Sequence, residues 1–214
     1  MSFEFDELIK SMFLAKSPAI VKKYYSQLTW DIPNNENKIY LTFDDGPIPE
    51  VTEWVLDILK QYQIKATFFC IGDNIKKNPE IFQRILEDGH FVGNHTQNHL
   101  NGWKTEDEVY FKNIKECSEL VNSKLFRPPY GRIKKSQHSI LNTQYSIIMW
   151  DVLSGDFDAK TTPEQCYNNV IKNTKSGSII VFHDSVKASE NLKKTLPKAI
   201  DFLLKKGFVF DVIK

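Results

Sequence analysis

The chain has 214 residues, enough for one large or two small domains with a sizeable core, and no Pro-, Gly- or Ser-rich linker divides it. Its 28 Lys plus Arg against 27 Asp plus Glu give a formal net charge of +1 without a basic stripe, which argues against nucleic acid as a partner. Its 3 cysteines form no CxxC pair, which argues against a disulfide framework and against a cysteine zinc site, and favours buried apolar roles.

The N-terminal 37 residues are predicted to form a helix and an arm packed on the rest of the chain. The opening stretch MSFEFDELIKSMFLAKSPAI has early acidic residues and no uninterrupted apolar run, so it lacks the pattern of a secretory signal. No apolar run approaches the roughly 20 residues of a transmembrane helix. We therefore expect a cytoplasmic protein, or one of the periplasm or cell envelope if a leader is missing. The sequence indicates no oligomeric state.

From residue 38 onward, short β-branched and aromatic runs alternate with longer segments of helical periodicity. The predicted strands are residues 39–43, 66–71, 91–94, 125–127, 146–150, 178–182 and 208–213. The predicted helices are residues 49–62, 79–87, 106–121, 133–141, 163–173 and 192–205. This alternation indicates a single α/β domain over residues 38–214, with a parallel sheet that is either open and doubly wound or closed into a barrel.

The positions of the polar residues favour the barrel. Several chemically useful side chains lie at or just beyond the C-terminal ends of different predicted strands, namely Asp44, Asp45, His95, Arg127, Asp156 and His183. In a barrel these ends converge on one pocket, whereas an open sheet spreads them along an edge.

The stretch YLTFDDGP, residues 40–47, ends a buried strand in two adjacent carboxylates, Asp44 and Asp45. Side chains alternate across a strand, so the two have different roles if strand geometry extends that far. One can bind a metal while the other acts as general base toward the metal-bound water, whose pKa falls toward ~7. A polar turn is the alternative interpretation.

The stretch GNHTQNH, residues 93–99, places His95 and His99 four positions apart. On a helical turn this spacing puts both imidazoles on one face, where they can bind one divalent metal. Solvated or core histidines can have the same spacing. A carboxylate from the DDG stretch favours the metal site, because two histidines and one aspartate leave coordination positions open for water and substrate.

Three later segments carry further candidates. In FRPPYG, two prolines hold the backbone after Arg127 out of a helix, so this arginine can clamp a carboxylate and the segment can offer an oxyanion donor. The alternative is a stiff loop with an exposed arginine. SIIVFHD ends a buried strand in His183. Taken by itself, a histidine at this position is typical of a structural role. MWDVLSGDFD contains Asp156, which alone fits a solvated acidic loop.

Taken together, TFDDGP, HTQNH, RPPYG and VFH resemble, in order and chemistry, the motifs of the NodB-like polysaccharide deacetylases, carbohydrate esterase family four. The resemblance extends from about residue 39 to the end of the chain. It implies an irregular (β/α) barrel and a metal-dependent hydrolase that removes N-acetyl groups from N-acetylglucosamine-containing glycans, such as peptidoglycan or chito-oligosaccharides. The implied ion is Zn²⁺, although the same ligands accept Co²⁺ or Ni²⁺.

The resemblance also implies catalytic roles. Asp44 corresponds to the general base and His183 to the general acid that protonates the leaving amine. Arg127 corresponds to the residue that holds the base. Asp156 would orient and charge the acid, which raises its pKa. Tyr130 corresponds to the residue whose backbone N–H stabilises the oxyanion.

The implied metal ligands are Asp45, His95 and His99. Phe157 and Val181 stand where the family usually has tryptophan and leucine in the pocket for the acetyl methyl, so the acyl group accepted is open. Two other functions stay open as well. One is an O-acetyl esterase on acetylated polysaccharide, and the other is a non-catalytic carbohydrate-binding domain.

Overall fold

The computed structural model describes residues 14–214. Its strands are β1 (Lys38–Asp44), β2 (Thr67–Cys70), β3 (Phe91–Asn94), β4 (Leu125–Phe126), β5 (Ser146–Ile147), β6 (Val152–Leu153), β7 (Ile179–His183) and β8 (Val209–Asp211). Its α-helices are α1 (Ala19–Tyr24), α2 (Val51–Gln61), α3 (Gly72–Lys77), α4 (Pro79–Glu87), α5 (Asp107–Ser118), α6 (Lys135–Leu141), α7 (Pro163–Asn173) and α8 (Ser189–Lys205). Within this range, no helix is long and apolar enough to cross a membrane.

The strands form one parallel sheet that curls into an incomplete barrel. Its order is β5-β4-β3-β2-β1-β7-β6, and β8 pairs with the first half of β1. The two end strands are joined by residues 148–151, which connect both edges. The Ile148 N–H donates to the Phe126 carbonyl at 2.8 Å, and the Asp151 N–H donates to the Ile179 carbonyl at 3.0 Å. The predicted single-domain α/β barrel is therefore confirmed in this irregular form.

The core lies between the sheet and the apolar faces of the surrounding helices. Nearly every residue of β1 is buried, which accounts for its continuous apolar run, because a strand inside a parallel sheet has both faces covered. The helix α2 buries one apolar stripe in the same hydrophobic cluster as β1, and this stripe consists of Val51, Val55, Leu56 and Leu59. Each such aliphatic side chain contributes roughly 1.5–3 kcal/mol on burial. All three cysteines are buried and free, as predicted.

Three elements differ from the prediction, since β5 is shorter than expected and neither β6 nor α3 was predicted. The prediction of one continuous strand over residues 146–150 was wrong. β5 ends at Ile147, and the following residues pair with both sheet edges before β6 begins at Val152. The helix α3 was not predicted, because its sequence GDNIKK buries only Gly72 and Ile75 and so has no apolar periodicity.

The predicted N-terminal arm lies outside the described residues over positions 1–13. From residue 14 on, Lys16 forms an antiparallel bridge with Val152, and the short helix α1 follows. The fully buried Asp151 carboxylate accepts hydrogen bonds from the ammonium groups of Lys16, at 2.5 Å, and Lys22. These contacts attach residues 16–22 to the β6 edge of the sheet.

Candidate active site and metal centre

The first part of the site is the end of β1. Asp44 is the last residue of the strand, and Asp45 follows with φ 88°, in the left-handed region. Alternation along a strand is therefore the wrong explanation for the different directions of the two carboxylates, because the chain turns at Asp45. The turn requires glycine at position 46, since a Cβ there would lie 1.9 Å from Oδ2 of Asp184.

Arg127 fixes the first of these carboxylates. It is fully buried, so the alternative of an exposed arginine is wrong. Its Nη1 donates to Oδ1 of Asp44 at 2.6 Å and to the Thr42 hydroxyl at 2.8 Å. Its Nε and Nη2 donate to the carbonyls of Ile148, at 3.2 Å, and Met149, at 3.1 Å. A buried ion pair needs such additional hydrogen bonds to offset desolvation.

Asp45, His95 and His99 form the second part of the site. One donor atom from each lies within 4.8 Å of the others. Nε2 of His95 and Nε2 of His99 lie 3.7 and 3.2 Å from Oδ1 of Asp45. Nδ1 of His95 is 2.7 Å from the carbonyl oxygen of Arg127, which can only accept, so the proton is on Nδ1 and the Nε2 lone pair faces Asp45. Burial lowers the pKa of His95 to about 4, which keeps this imidazole neutral.

These three residues fit a divalent cation. Among residues 14–214, Oδ1 of Asp45 is buried and has no hydrogen-bond partner. Burial alone would raise the pKa of Asp45, but the nearby imidazole of His99 and the positive charge of His183 outweigh burial and lower this pKa. A cation would satisfy the buried oxygen, and two nitrogens plus one oxygen leave positions open for water.

The two histidines meet although they do not lie on a helix, so the predicted helical turn was wrong. Residues 95–99 form a loop in which Thr96 has φ 65° and His99 has φ 62°. A left-handed β-branched residue is unfavourable, so contacts outside the loop must hold this conformation.

His183 and Asp156 form the third part of the site. His183 ends β7, and its Nδ1 lies 2.8 Å from Oδ1 of the buried Asp156. Oδ2 of Asp156 accepts the backbone N–H of His183 at 2.8 Å, and the Ser154 hydroxyl donates to Oδ1 at 2.9 Å. Burial lowers the pKa of His183, but the charge and hydrogen bond of Asp156, together with the charges of Asp45 and Asp44, outweigh burial and raise this pKa to about 9. The imidazole is therefore protonated at neutral pH.

The remaining predicted residues surround these groups. Tyr130 has φ 60° and is 60% exposed, and its hydroxyl lies 3.1 Å from Nδ1 of His99. The Phe157 ring meets the His183 ring edge-on, with centroids 4.9 Å apart. Val181 is fully buried two residues before His183 on β7, and therefore lies on the same side of that strand.

The two halves of the site meet through β1 and β7. Asp44 and His183 are register partners on these neighbouring strands, and the Asp184 N–H donates to the Asp44 carbonyl at 3.1 Å. The structure thus brings the base and acid candidates to the same end of the sheet, as the polar residues at strand ends predicted.

Asp184 is a buried residue of the site that the sequence analysis did not single out. Its carboxyl accepts the Gly46 N–H at 3.1 Å and the Thr52 hydroxyl at 2.6 Å, and so holds the turn after β1. Burial raises its pKa to about 8. The signal was present, because Asp184 directly follows His183 at the end of a strand.

Comparison with known proteins supports the resemblance. The family model described as polysaccharide deacetylase matches residues 31–144. A Bacillus cereus peptidoglycan-N-acetylglucosamine deacetylase is 37% identical over 190 residues, which cover 86% of this chain and 89% of that protein. A chitooligosaccharide deacetylase of Azorhizobium caulinodans is 36% identical over 170 residues, which cover 74% of this chain and 79% of the relative.

A solved structure agrees with both sequence matches. The crystal structure of the Bc1960 peptidoglycan N-acetylglucosamine deacetylase, in complex with 4-naphthalen-1-yl-N-oxidanyl-benzamide, matches with a TM-score of 0.84 and 34% identity. The match covers 92% of this chain and 95% of that one. The family predicted from the motifs is confirmed, and this chain belongs to the polysaccharide deacetylases, hydrolases that act on carbon-nitrogen bonds other than peptide bonds.

Proposed function

We propose that this protein is a metal-dependent deacetylase that removes N-acetyl groups from N-acetylglucosamine-containing glycans. One structural feature supports this function above the others. A carboxylate fixed by Arg127 and a histidine charged by Asp156 lie on neighbouring strands beside the three-residue metal cluster. The relatives named for peptidoglycan and chito-oligosaccharide substrates support the substrate class.

The surroundings of Asp44 leave it able to accept a proton, and those of His183 leave it able to donate one. Oδ1 of Asp44 is engaged by Arg127, so Oδ2 is the atom that accepts a proton from the attacking water. His183 is protonated at neutral pH, and Asp156 holds its Nδ1, so Nε2–H donates to the amide nitrogen as the C–N bond breaks. The backbone N–H of Tyr130 donates to the oxyanion.

Asp45, His95 and His99 would hold the cation, for which we propose Zn²⁺, with Co²⁺ or Ni²⁺ as substitutes. When bound, such an ion polarises the attacking water and the acyl carbonyl. We propose that Phe157 and Val181 line the acetyl pocket. Phe157 contacts His183, and Val181 lies on the same strand as His183.

The test is acetate release from chito-oligosaccharides and peptidoglycan fragments by zinc-loaded protein, with EDTA-treated protein for comparison. Asp44→Asn should remove activity. Asp57→Asn is a matched control, because Asp57 also pairs with an arginine, at 2.5 Å, but on the surface and 68% exposed at its side chain. Loaded wild-type protein that releases no acetate from any of these glycans would refute the function.

His183→Ala separates amide from ester chemistry. An amine leaves poorly without a proton, whereas an alkoxide from an ester depends less on the acid. Amide hydrolysis should therefore collapse in this variant. If wild-type protein instead releases acetate from O-acetylated xylan and His183→Ala keeps that rate, the protein is an O-acetyl esterase. If the wild type binds glycan but no metal, it is a non-catalytic binding domain.

A further inference from the structure

The loop between the two metal-cluster histidines is held from outside. Residues 96–98 belong to no helix or strand, and the left-handed φ angles of Thr96 and His99 flank their turn. Buried backbone N–H groups in such a loop need acceptors from elsewhere in the structure. Thr96 and Gln97 are both buried, so their N–H groups are shielded from bulk water.

One side chain of α5 supplies the acceptor for the middle of this loop. Asn113 is 8% exposed, and its Oδ1 accepts the backbone N–H groups of Gln97, at 2.9 Å, and Asn98, at 3.4 Å. Its Nδ2 donates to Oδ1 of Asn98 at 3.0 Å. The helix itself is anchored in the core by three side chains, namely Tyr110, Ile114 and Cys117. One carboxamide therefore ties the two central N–H groups of the loop to a rigid element.

The two sides of the loop have separate anchors. Oδ1 of Asn94 accepts the Thr96 N–H at 2.8 Å, while its Nδ2 donates to the Ile114 carbonyl at 2.9 Å. The Gln97 side chain turns away and donates to Asp73 at 2.7 Å. These contacts fix the start of the loop and one side chain. The carbonyls of Thr96 and Gln97 accept the N–H groups of Gly72, at 3.1 Å, and Asp73, at 2.8 Å, from α3. The N–H groups at the centre of the loop are bound from α5.

We propose that Asn113 is a positioning residue that sets the metal affinity of the site. The two hydrogen bonds that its Oδ1 accepts from the loop maintain the conformation in which His95 and His99 converge on Asp45. Without them, two N–H groups lose their acceptor and the loop relaxes from its left-handed angles, which separates the imidazoles. This role depends on the metal site of the proposed function, but not on the glycan or the reaction.

The measurement is the Zn²⁺ affinity of metal-free protein, by competition with a chromophoric chelator, together with the absorption spectrum of the Co²⁺ form. Asn113→Ala should weaken Zn²⁺ binding about tenfold to a hundredfold, the range typical of groups that orient metal ligands. Asn113→Asp should retain the affinity, because a carboxylate still accepts both N–H groups and the exposed Asn98 amide can rotate to donate to it. The Co²⁺ spectrum should change in Asn113→Ala only.

Asn34→Ala is the matched control. Oδ1 of Asn34 also accepts two backbone N–H groups, those of Glu36 at 3.1 Å and Lys38 at 2.9 Å, but at the opposite end of β1. This variant should lose stability and keep its Zn²⁺ affinity. If Asn113→Ala does not fold, Asn113→Ser, whose hydroxyl is too short to reach both groups, carries the same comparison.

The outcomes distinguish failure of the role of Asn113 from failure of the proposed function. Equal Zn²⁺ affinity per folded molecule in wild type, Asn113→Ala and Asn34→Ala would show a purely structural amide and overturn the proposal. Wild-type protein that binds no divalent metal would overturn the metal site itself. A zinc-binding wild type that releases no acetate would refute the proposed function and leave the role of Asn113 standing.

Discussion

The charge of His183 depends mainly on one buried carboxylate, so Asp156→Asn tests the assignment of the acid. In the wild type, Nδ1 of His183 lies 2.8 Å from Oδ1 of Asp156. The substitution keeps the size of the side chain and an oxygen that can accept from Nδ1, but it removes the negative charge. Burial lowers the pKa of His183, and Asp156 is the largest influence that raises it, ahead of Asp45 and Asp44. In the variant, the histidine should titrate at or below its ordinary value.

The size of the effect follows from the two pKa values. A fall from about 9 to the ordinary 6.5 is about 2.5 pH units, or about 3.4 kcal/mol at 1.36 kcal/mol per unit. At pH 8 the protonated fraction then falls from roughly 90% to roughly 3%, so the rate should fall about 30-fold. At pH 6 both histidines are mostly protonated, and the loss from this cause is only about 1.3-fold.

The assay is kcat/KM for acetate release from a chito-oligosaccharide between pH 5.5 and about 9.5, a range that spans both expected pKa values. Ser154→Ala is the control, because it removes the 2.9 Å hydrogen bond to Asp156 and leaves the charge. The alkaline limb should move by 2 or more pH units, in order of magnitude, in Asp156→Asn and by far less in Ser154→Ala. A loss of equal size at every pH in Asp156→Asn would refute the argument, because it would indicate a defect of position and not of charge.

Three other substitutions test neighbouring groups. Asp45→Asn should lose metal in elemental analysis, whereas Asp44→Asn should keep metal and lose acetate release, and loss of metal from both would contradict this division. Arg127→Lys cannot reproduce the four side-chain contacts of a buried guanidinium, so urea denaturation should show a loss of about 3–5 kcal/mol, and a change under about 1 kcal/mol would contradict the buried pair. In metal-free protein, the raised pKa of Asp184 stabilises the folded state. This contribution is complete below pH 3.8, the ordinary pKa of an aspartate, and it is lost as the pH rises through about 8. The Tm of Asp184→Asn minus the Tm of the wild type should therefore increase between pH 6 and 9. A constant Tm difference over this range would show that Asp184 does not titrate there.

Local patterns were sufficient for most of the fold. The apolar stripe of α2 and the continuous apolar run of β1 are properties of single segments, so periodicity and length identify them. The closure of the sheet is different, because β5 and β6 have two residues each and are defined by partners far along the chain. No local pattern distinguishes residues 148–151, which link the two edges, from a continuation of the strand before them.

The same division holds for the candidate site. The chemical types at the strand ends were visible in the sequence, and these residues do lie at one end of the barrel. The backbone angles of Asp45, Thr96 and His99 were not visible, because the left-handed region is uncommon for such residues and is imposed by distant contacts. Asn113 lies on a helix whose pattern identifies its apolar face but gives no indication of what a single amide on it would contact.

These distant contacts also explain how adjacent carboxylates receive different roles in the proposed mechanism. Asp44 remains in β1, with its carbonyl accepting the Asp184 N–H at 3.1 Å. Asp45 is rotated out of the strand, and its carbonyl accepts from Nδ2 of Asn74 at 2.7 Å, while the Asp184 carboxyl holds the next residue, Gly46. Bonds to the main chain thus set the direction in which each side chain leaves the backbone, and Arg127 then fixes the Asp44 carboxylate. Exchanging aspartate for asparagine at either position should leave that backbone in place, and each variant then reports on chemistry without a change of fold.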